Sequence, residues 1–323
     1  MTLRVGIVGA GIHGTRYLRH LEHDAPGLAP AALCRRDPRA GQELGAGLGI
    51  PWFASYEDLI DHPGVDSVIV ATPPASHFAI AARALAAGKP VLVEKPMTGT
   101  LAEARRLATL AAAPGAPLLM VAQTLRWNPV LQRVRSLWPR LGRVHLVRFA
   151  QRLAPTALTW QREPAETVGG SVLLTGVHGF DLVRWLTGRE FRRMDSRQRQ
   201  VLNPVVEDLF LARAELDDGC WVSCEVSKFT QSQACWLEAV GEAGQIWADY
   251  LDGGLVLRCG REEFRETVDA RSPTLPSVLD AWRDAIERER PAPVTAVDGL
   301  RTLEVADACY RSQRRGGAVG LEL

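Results

Sequence analysis

Leu3-Arg4-Val5-Gly6-Ile7-Val8-Gly9-Ala10-Gly11-Ile12-His13-Gly14 places an apolar run, a glycine loop and then a helical stretch through about His23 at the head of the chain. A GxGxxG pattern alone is weak, because glycine turns are common. A buried strand feeding the glycines and a helix leaving them together make the dinucleotide-binding fingerprint. The three glycines serve different ends. Gly9 permits the tight turn, Gly11 lets the backbone approach a pyrophosphate, and Gly14 lets helix pack on strand. The helix N-terminus, with Ile12 and His13 in it, offers amide donors and a positive dipole end to the phosphates.

Outward from this unit, strands and helices keep alternating. Strands are expected at Ala31 to Cys34, Ser67 to Val70, Pro90 to Val93 and Leu118 to Val121. Helices are expected from Pro38, over Ala75 to Ala87 and over Thr100 to Ala112. Such alternation predicts a doubly wound parallel sheet of the Rossmann type, which binds ligands at the carboxyl ends of its strands. Three segments fall at such ends and are expected to line one crevice: the glycine loop, Ala71-Thr72-Pro73-Pro74, and Glu94-Lys95-Pro96. His77 begins a helix just beyond, where it either touches the cofactor or caps. Gln123 and Arg126 follow the last strand and are expected to face the cleft, Gln123 toward cofactor and Arg126 toward substrate.

The end of the second strand decides between the two nicotinamide cofactors. An acidic residue there holds the ribose 2′-hydroxyl of NAD. This chain has Arg35 and Arg36 instead, followed by Asp37. Two guanidiniums could grip a 2′-phosphate through charge-assisted bonds of roughly 1.5–3 kcal/mol each, and even about 3 kcal/mol in total is a preference of about a hundredfold. NADP(H) is the expected cofactor, with Arg35 dominant and NAD(H) an alternative.

Only three of the 38 basic residues are lysines, so arginine serves almost wherever a positive charge is needed. Lys95, at the end of Val91-Leu92-Val93-Glu94, therefore stands out. An ammonium is a compact charge whose pKa can fall on burial, whereas guanidinium stays protonated. That is the profile of a catalytic lysine; a solvated lysine at a strand end is the plain alternative. The net charge of +1 and interleaved signs such as Glu287-Arg288-Glu289-Arg290 argue against nucleic acid and anionic membranes as partners. The six cysteines lack the paired spacing of a zinc or redox motif. Cys220 and Cys224 fall on one face of an expected strand about 13 Å apart, too far for a disulfide. No run reaches the ~18 apolar residues of a membrane span, and the first strand begins at Leu3, so a cytoplasmic protein is expected.

From Gly142 the pattern changes. Val144 to Ala150, Leu209 to Leu216, Cys220 to Val226, Ala234 to Val240 and Gln245 to Asp249 alternate as strands, and Gly169 to Leu186 reads as a helix. The expected fold class is thus α/β plus α+β: an N-terminal Rossmann doubly wound parallel sheet over residues 1–122, and a C-terminal domain over 123–323 built on a large open, mostly antiparallel sheet.

With the Glu-Lys-Pro turn placed after a Rossmann strand, the chain resembles the glucose-fructose oxidoreductase / inositol dehydrogenase / rhizopine catabolism (Gfo/Idh/MocA) family. The resemblance runs through Ala71 to His77, Gly88 to Pro96, Arg126-Trp127-Asn128-Pro129, Gly169-Gly170 into Gly176-Val177-His178-Gly179-Phe180-Asp181, and the closing helix from Asp298 to Ser312. It implies that Lys95 binds the reacting oxygen beside the nicotinamide and that His178 is the general acid/base. Both types suit the chemistry: alcohol oxidation needs a proton acceptor with a pKa near 7, and a cation eases alkoxide character. Many dehydrogenases of the family carry an aspartate four residues before the histidine; here that position is Leu174, so either the substrate has an apolar or missing group there, or Thr175 beside it compensates as a substrate contact, or catalysis is weakened. Asp181 is expected to anchor local backbone. A His178/Asp181 metal pair lacks a third ligand, and no metal is expected. Trp160-Gln161 matches a family Trp-Arg segment near the cofactor, with glutamine in place of arginine.

The resemblance implies an oxidoreductase transferring hydride between NADP(H) and a secondary alcohol or carbonyl of a sugar, cyclitol or related polar molecule. It also implies a homodimer or homotetramer formed through the C-terminal sheet, whose open face carries Trp221 and Trp236. The alternatives are a nucleotide-sensing regulatory protein on the same scaffold, which Leu174 favours, and a cofactor-assisted glycosidase; Lys95 together with His178 favours an enzyme.

Overall fold

The computed structural model describes residues 2–155, 159–163 and 167–322. By internal packing the chain forms two units. The first comprises residues 1–123 and 275–300, the second 124–274 and 301–323.

In the first unit, β1 (Leu3–Val8), α1 (Ile12–His23), β2 (Leu28–Cys34), α2 (Pro38–Leu48), β3 (Trp52–Phe53), α3 (Tyr56–Asp61), β4 (Ser67–Val70), α4 (His77–Ala86), β5 (Val91–Glu94), α5 (Leu101–Ala111) and β6 (Leu119–Ala122) follow one another. Among the described residues the strands form one parallel sheet in the order β3-β2-β1-β4-β5-β6. The strands are buried nearly throughout because helices cover both faces: Val5, Ile7, Val68, Ile69, Val91, Leu92, Met120 and Val121 are sealed from solvent. Helix boundaries follow local chemistry. Asp37 accepts the Ala40 amide (3.1 Å) at the start of α2, and Thr100 with Glu103 closes a capping box on α5.

The second unit continues with α6 (Pro129–Leu137), β7 (Val144–Arg152), α7 (Val177–Thr187), β8 (Phe191–Arg199), β9 (Leu209–Leu216), β10 (Trp221–Ser227), β11 (Ala234–Gly241), β12 (Gln245–Asp249), β13 (Gly254–Cys259) and β14 (Glu262–Thr267). After α8 (Leu275–Glu287) come α9 (Ala296–Arg315) and β15 (Val319–Gly320). Its described strands form one sheet, β14-β13-β12-β11-β7-β10-β9-β8-β15, antiparallel except where β7 lies parallel to β10. One face is the core, with Val147, Phe149, Phe210, Val222, Cys224, Leu237 and Leu257 buried. The other alternates out, and there Arg148 pairs with Glu238 (2.8 Å) and Arg152 with Glu225 (2.5 Å). Trp221, Leu211 and Trp247 stand 58%, 53% and 40% exposed on the same side by strand register. All six cysteines are free thiols.

Two differences from the sequence reading concern the domain plan. The boundary at Gln123/Thr124 lies next to the expected 122/123, but residues 275–300, read as part of the second domain, pack with the first. The cause is visible at Arg283 of α8, whose guanidinium donates to the Pro26 carbonyl, and at Val294, whose carbonyl accepts the Val121 amide (3.1 Å) at the end of β6. The expected helix over Gly169 to Leu186 is also not uniform: Val172–Gly176 is a π-helical turn that runs into α7.

Candidate functional site

The carboxyl ends of β1, β4 and β5 bring most of the sequence-predicted residues of the first unit together. Gly9 has φ +99°, and a Cβ there would lie 2.6 Å from the Ala71 carbonyl carbon and the Thr72 amide, so the glycine loop can rest on the β4 turn only as glycine. Above Gly11, by contrast, a Cβ would meet nothing within 4 Å, which leaves this backbone bare to a ligand. The N-terminus of α1 carries no side-chain cap, so Ile12, His13 and Gly14 present helix-start amides of the kind that hold phosphates. These residues fit a dinucleotide pyrophosphate.

At the end of β2, Arg35 is half-buried and Arg36 exposed. The Arg35 carbonyl accepts the Trp52 indole N–H (3.2 Å), while its guanidinium makes no ion pair among the described residues. Asp37 is occupied at the N-terminus of α2.

Lys95 follows β5 on a turn held from two sides. From α1, the buried Tyr17 hydroxyl donates to Glu94 Oε1 (2.8 Å), while Glu94 Oε2 accepts the Lys95 amide (3.1 Å). From α4, His77 Nδ1 lies 2.9 Å from the Pro96 carbonyl and Nε2 lies 2.7 Å from the Thr72 carbonyl. His77 is therefore buried between the Thr72-Pro73 and Lys95-Pro96 turns, each ring nitrogen facing a protein carbonyl; the neutral ring that burial favours donates to one of the two. Thr72 Oγ1 accepts from the Ser76 hydroxyl (2.8 Å). Burial pushes the Lys95 ammonium below its ordinary pKa, and the Glu94 carboxylate opposes that shift. Gln123 is buried at the end of the unit, directly after β6.

In the second unit, Thr175 is buried in the π-helical turn and His178 stands half-buried as the second residue of α7. Leu174 is buried. Arg126 and Asp181 form a buried two-pronged pair, Nε to Oδ2 at 2.8 Å and Nη2 to Oδ1 at 2.7 Å. Asp181 thus anchors the Arg126 side chain, where the sequence reading gave it local backbone. The pair ties the 124–127 turn to α7, and breaking such a buried pair from one side costs about 3–5 kcal/mol. Gln161 accepts from Lys228 Nζ (3.3 Å), and both line a small pocket with Ser171, Asn203 and Glu207. Tyr17, Glu207 and Lys228 were missed by the sequence reading. The only signal for Lys228 was its type, since it is one of three lysines. Among the described residues no group of three or more His, Cys, Asp or Glu side chains could hold a metal, and no helix is long and apolar enough to cross a membrane.

Residues 3–123 match the family described as "Oxidoreductase family, NAD-binding Rossmann fold", and residues 139–321 its "C-terminal alpha/beta domain". The chain belongs to the Gfo/Idh/MocA oxidoreductase family and is, in kind, a nicotinamide-dependent dehydrogenase. It is 30% identical to Inositol 2-dehydrogenase 1 of Saccharopolyspora erythraea, covering 100% of this chain and 97% of that protein. It is 31% identical to the rhizopine catabolism protein MocA of Rhizobium meliloti over 94% of this chain and 93% of the other. Among solved structures it is similar to GenD2 from gentamicin A biosynthesis in complex with NAD, with TM-score 0.88, 29% identity, and 99% and 97% of the two chains covered.

Proposed function

We propose that this protein is an NADP(H)-dependent dehydrogenase that oxidises a secondary alcohol of a cyclitol or related sugar, or reduces the corresponding ketone. The observation that carries the reading is the Lys95 turn. A lysine with a depressed pKa stands at the carboxyl end of β5, its backbone fixed by Tyr17 through Glu94 and by His77 through Pro96. Lys95 donates to the reacting oxygen and stabilises its alkoxide character. His178 takes the hydroxyl proton in oxidation and returns it in reduction. Bound NADP+ accepts the hydride. Arg35, with Arg36, holds the 2′-phosphate, and Thr175 and Arg126 contact substrate. The cyclitol preference is supported by the inositol dehydrogenases among the relatives. The test is reduction of NADP+ and NAD+, followed by absorbance, with myo-inositol, scyllo-inositol and a panel of aldoses and polyols. Turnover with at least one cyclitol, and kcat/KM about a hundredfold higher with NADP+, is expected. No turnover with any polyol rejects the activity, and equal binding of NADH and NADPH rejects the cofactor preference.

The open face of the second sheet supports a homo-oligomer. Trp221, Trp247 and Leu211 stand exposed on this face, spaced among paired arginines and glutamates, a mixed surface suited to a second copy. Light scattering at micromolar concentration is expected to give a dimeric or tetrameric mass; a monomeric mass contradicts the assembly.

A further inference from the structure

The helix bearing His178 begins in an unusual way. A helix start leaves its first amides without partners inside the helix. Here one residue from far along the chain meets three of them. Glu207 Oε1 accepts the amides of Gly170 (3.2 Å) and Val172 (3.1 Å), and the Glu207 carbonyl accepts that of Ser171 (2.8 Å). The Tyr310 hydroxyl, from α9, donates to the same Oε1 (2.8 Å). The approach is so close that only glycine fits opposite: a Cβ on Gly170 would lie 1.9 Å from the Glu207 carbonyl oxygen, and one on Gly169 2.6 Å from the Tyr310 hydroxyl. This explains the Gly169-Gly170 pair, which hydride chemistry does not. A carboxylate is the favoured group at this end of the helix dipole. Burial pushes the Glu207 pKa up, and the Tyr310 hydroxyl and the backbone amides oppose the shift.

Immediately after this cap comes the π-helical turn Val172–Gly176, which carries Leu174 and Thr175 and ends two residues before His178. A π turn bonds less regularly than an α-helix and persists where its surroundings hold it. Downstream it is held by the Arg126–Asp181 pair. Upstream it is held by Glu207.

We propose that Glu207 is a positioning residue that holds the π-helical turn, and through it sets Leu174 and Thr175 against the substrate ahead of His178. The proposal rests on the reading of Thr175 as a substrate contact. Without the cap, the turn is free to relax toward regular α-helix, which rotates Leu174 and Thr175 about the helix axis. The loss falls first on substrate binding.

The experiment uses full-length E207A, E207Q and T175V in the presence of NADP+, with myo-inositol as probe substrate. Amide hydrogen exchange is read by mass spectrometry for residues 170–176 and, as a control, for residues 3–8. E207A is expected to speed exchange in 170–176 without changing 3–8. Its KM is expected to rise about tenfold, with kcat changed less and the NADP+ Kd unchanged. E207Q keeps an oxygen acceptor in place and is expected to restore most of the protection and KM. Unchanged exchange in 170–176 for E207A overturns the proposal whatever the kinetics, as does a fall in kcat with KM intact. If E207A does not fold, E207D, whose side chain is one methylene too short to reach both the Gly170 and Val172 amides, takes its place, and unchanged exchange in 170–176 for E207D overturns the proposal. T175V with an unaltered KM overturns instead the substrate-contact reading, and the exchange data then still decide whether Glu207 holds the turn.

Discussion

Replacing Lys95 by methionine is expected to lower kcat by about 10²–10³, the scale of losing one preorganised charge at a developing oxyanion. Replacing His178 by asparagine is expected to lower it by about 10²–10⁴, the scale of losing a general acid/base. The two variants should differ from ordinary core damage in their stability. Burial holds the Lys95 pKa below the ordinary 10.5, so the folded state binds this proton less tightly than the unfolded chain does. At neutral pH the charged lysine therefore costs stability. That cost disappears as pH rises through the window between the lowered pKa and 10.5. Methionine fills a similar length without charge, so Lys95→Met should melt at the same or a higher temperature than the parent at pH 7 while turning over far more slowly. For the parent, an activity that needs the ammonium should decline on the alkaline side before pH 10.5 is reached. Kinetics and thermal melts on the same preparations check this. Undiminished turnover in both variants removes the proposed roles, and a Lys95→Met protein losing Tm and activity together makes the lysine structural.

The first unit was largely legible because its signals are local. Apolar runs, glycines and caps lie within a few residues of the structure they specify, and Ser67–Val70 and the end of α1 at His23 fall where the pattern puts them. In the second sheet β9 and β12 follow clean alternation and match their expected bounds. Strand β8 escapes a reading by alternation because Phe-Arg-Arg-Met-Asp-Ser-Arg-Gln-Arg is polar on both sides: Arg193, Asp195 and Arg197 lie on the open face, where Asp195 pairs with Arg197 and Arg213. Strand β14 is a mostly exposed edge rich in glutamate, and it reads as loop until β13 is placed beside it. The return of residues 275–300 to the first unit has no sequence mark, since α8 looks like any amphipathic helix until its partner is known. The site divides in the same way. Lys95 and His178 sit in recognisable runs. Tyr17 and Glu94 meet across 77 residues, Arg126 and Asp181 across 55, and Gly170 and Glu207 across 37. Pairings of that span are set by the tertiary fold, and a single sequence marks them only by a polar side chain in apolar company, as Asp181 is between Phe180 and Leu182.

Replacing Arg35 by aspartate is expected to reverse the cofactor preference. The guanidinium of Arg35 stands at the end of β2, where the adenosine ribose lies in a dinucleotide-binding sheet, and it makes no ion pair among the described residues. Asp37 accepts the amide of Ala40 through Oδ1, which fixes it at the start of α2. On the proposed reading a 2′-phosphate gains charge-assisted bonds from Arg35 in the parent, while the 2′-hydroxyl of NAD gains little there. Aspartate removes those bonds and adds repulsion, which should raise the NADPH Kd about a hundredfold or more. The same carboxylate can accept from the ribose hydroxyls, so the NADH Kd should fall, by about threefold to tenfold for one added hydrogen bond. Arg36, exposed and one residue further along, should contribute less, and Arg36→Ala should move the NADPH Kd by no more than about tenfold. Fluorescence titration of both reduced cofactors against the three proteins, at fixed ionic strength, measures each term. Phosphate recognition by Arg35 also predicts that the parent's NADPH affinity weakens with salt more steeply than its NADH affinity, and that this difference vanishes in Arg35→Asp. An Arg35→Asp protein that still prefers NADPH places the 2′-phosphate elsewhere and removes the basis for NADP(H) specificity.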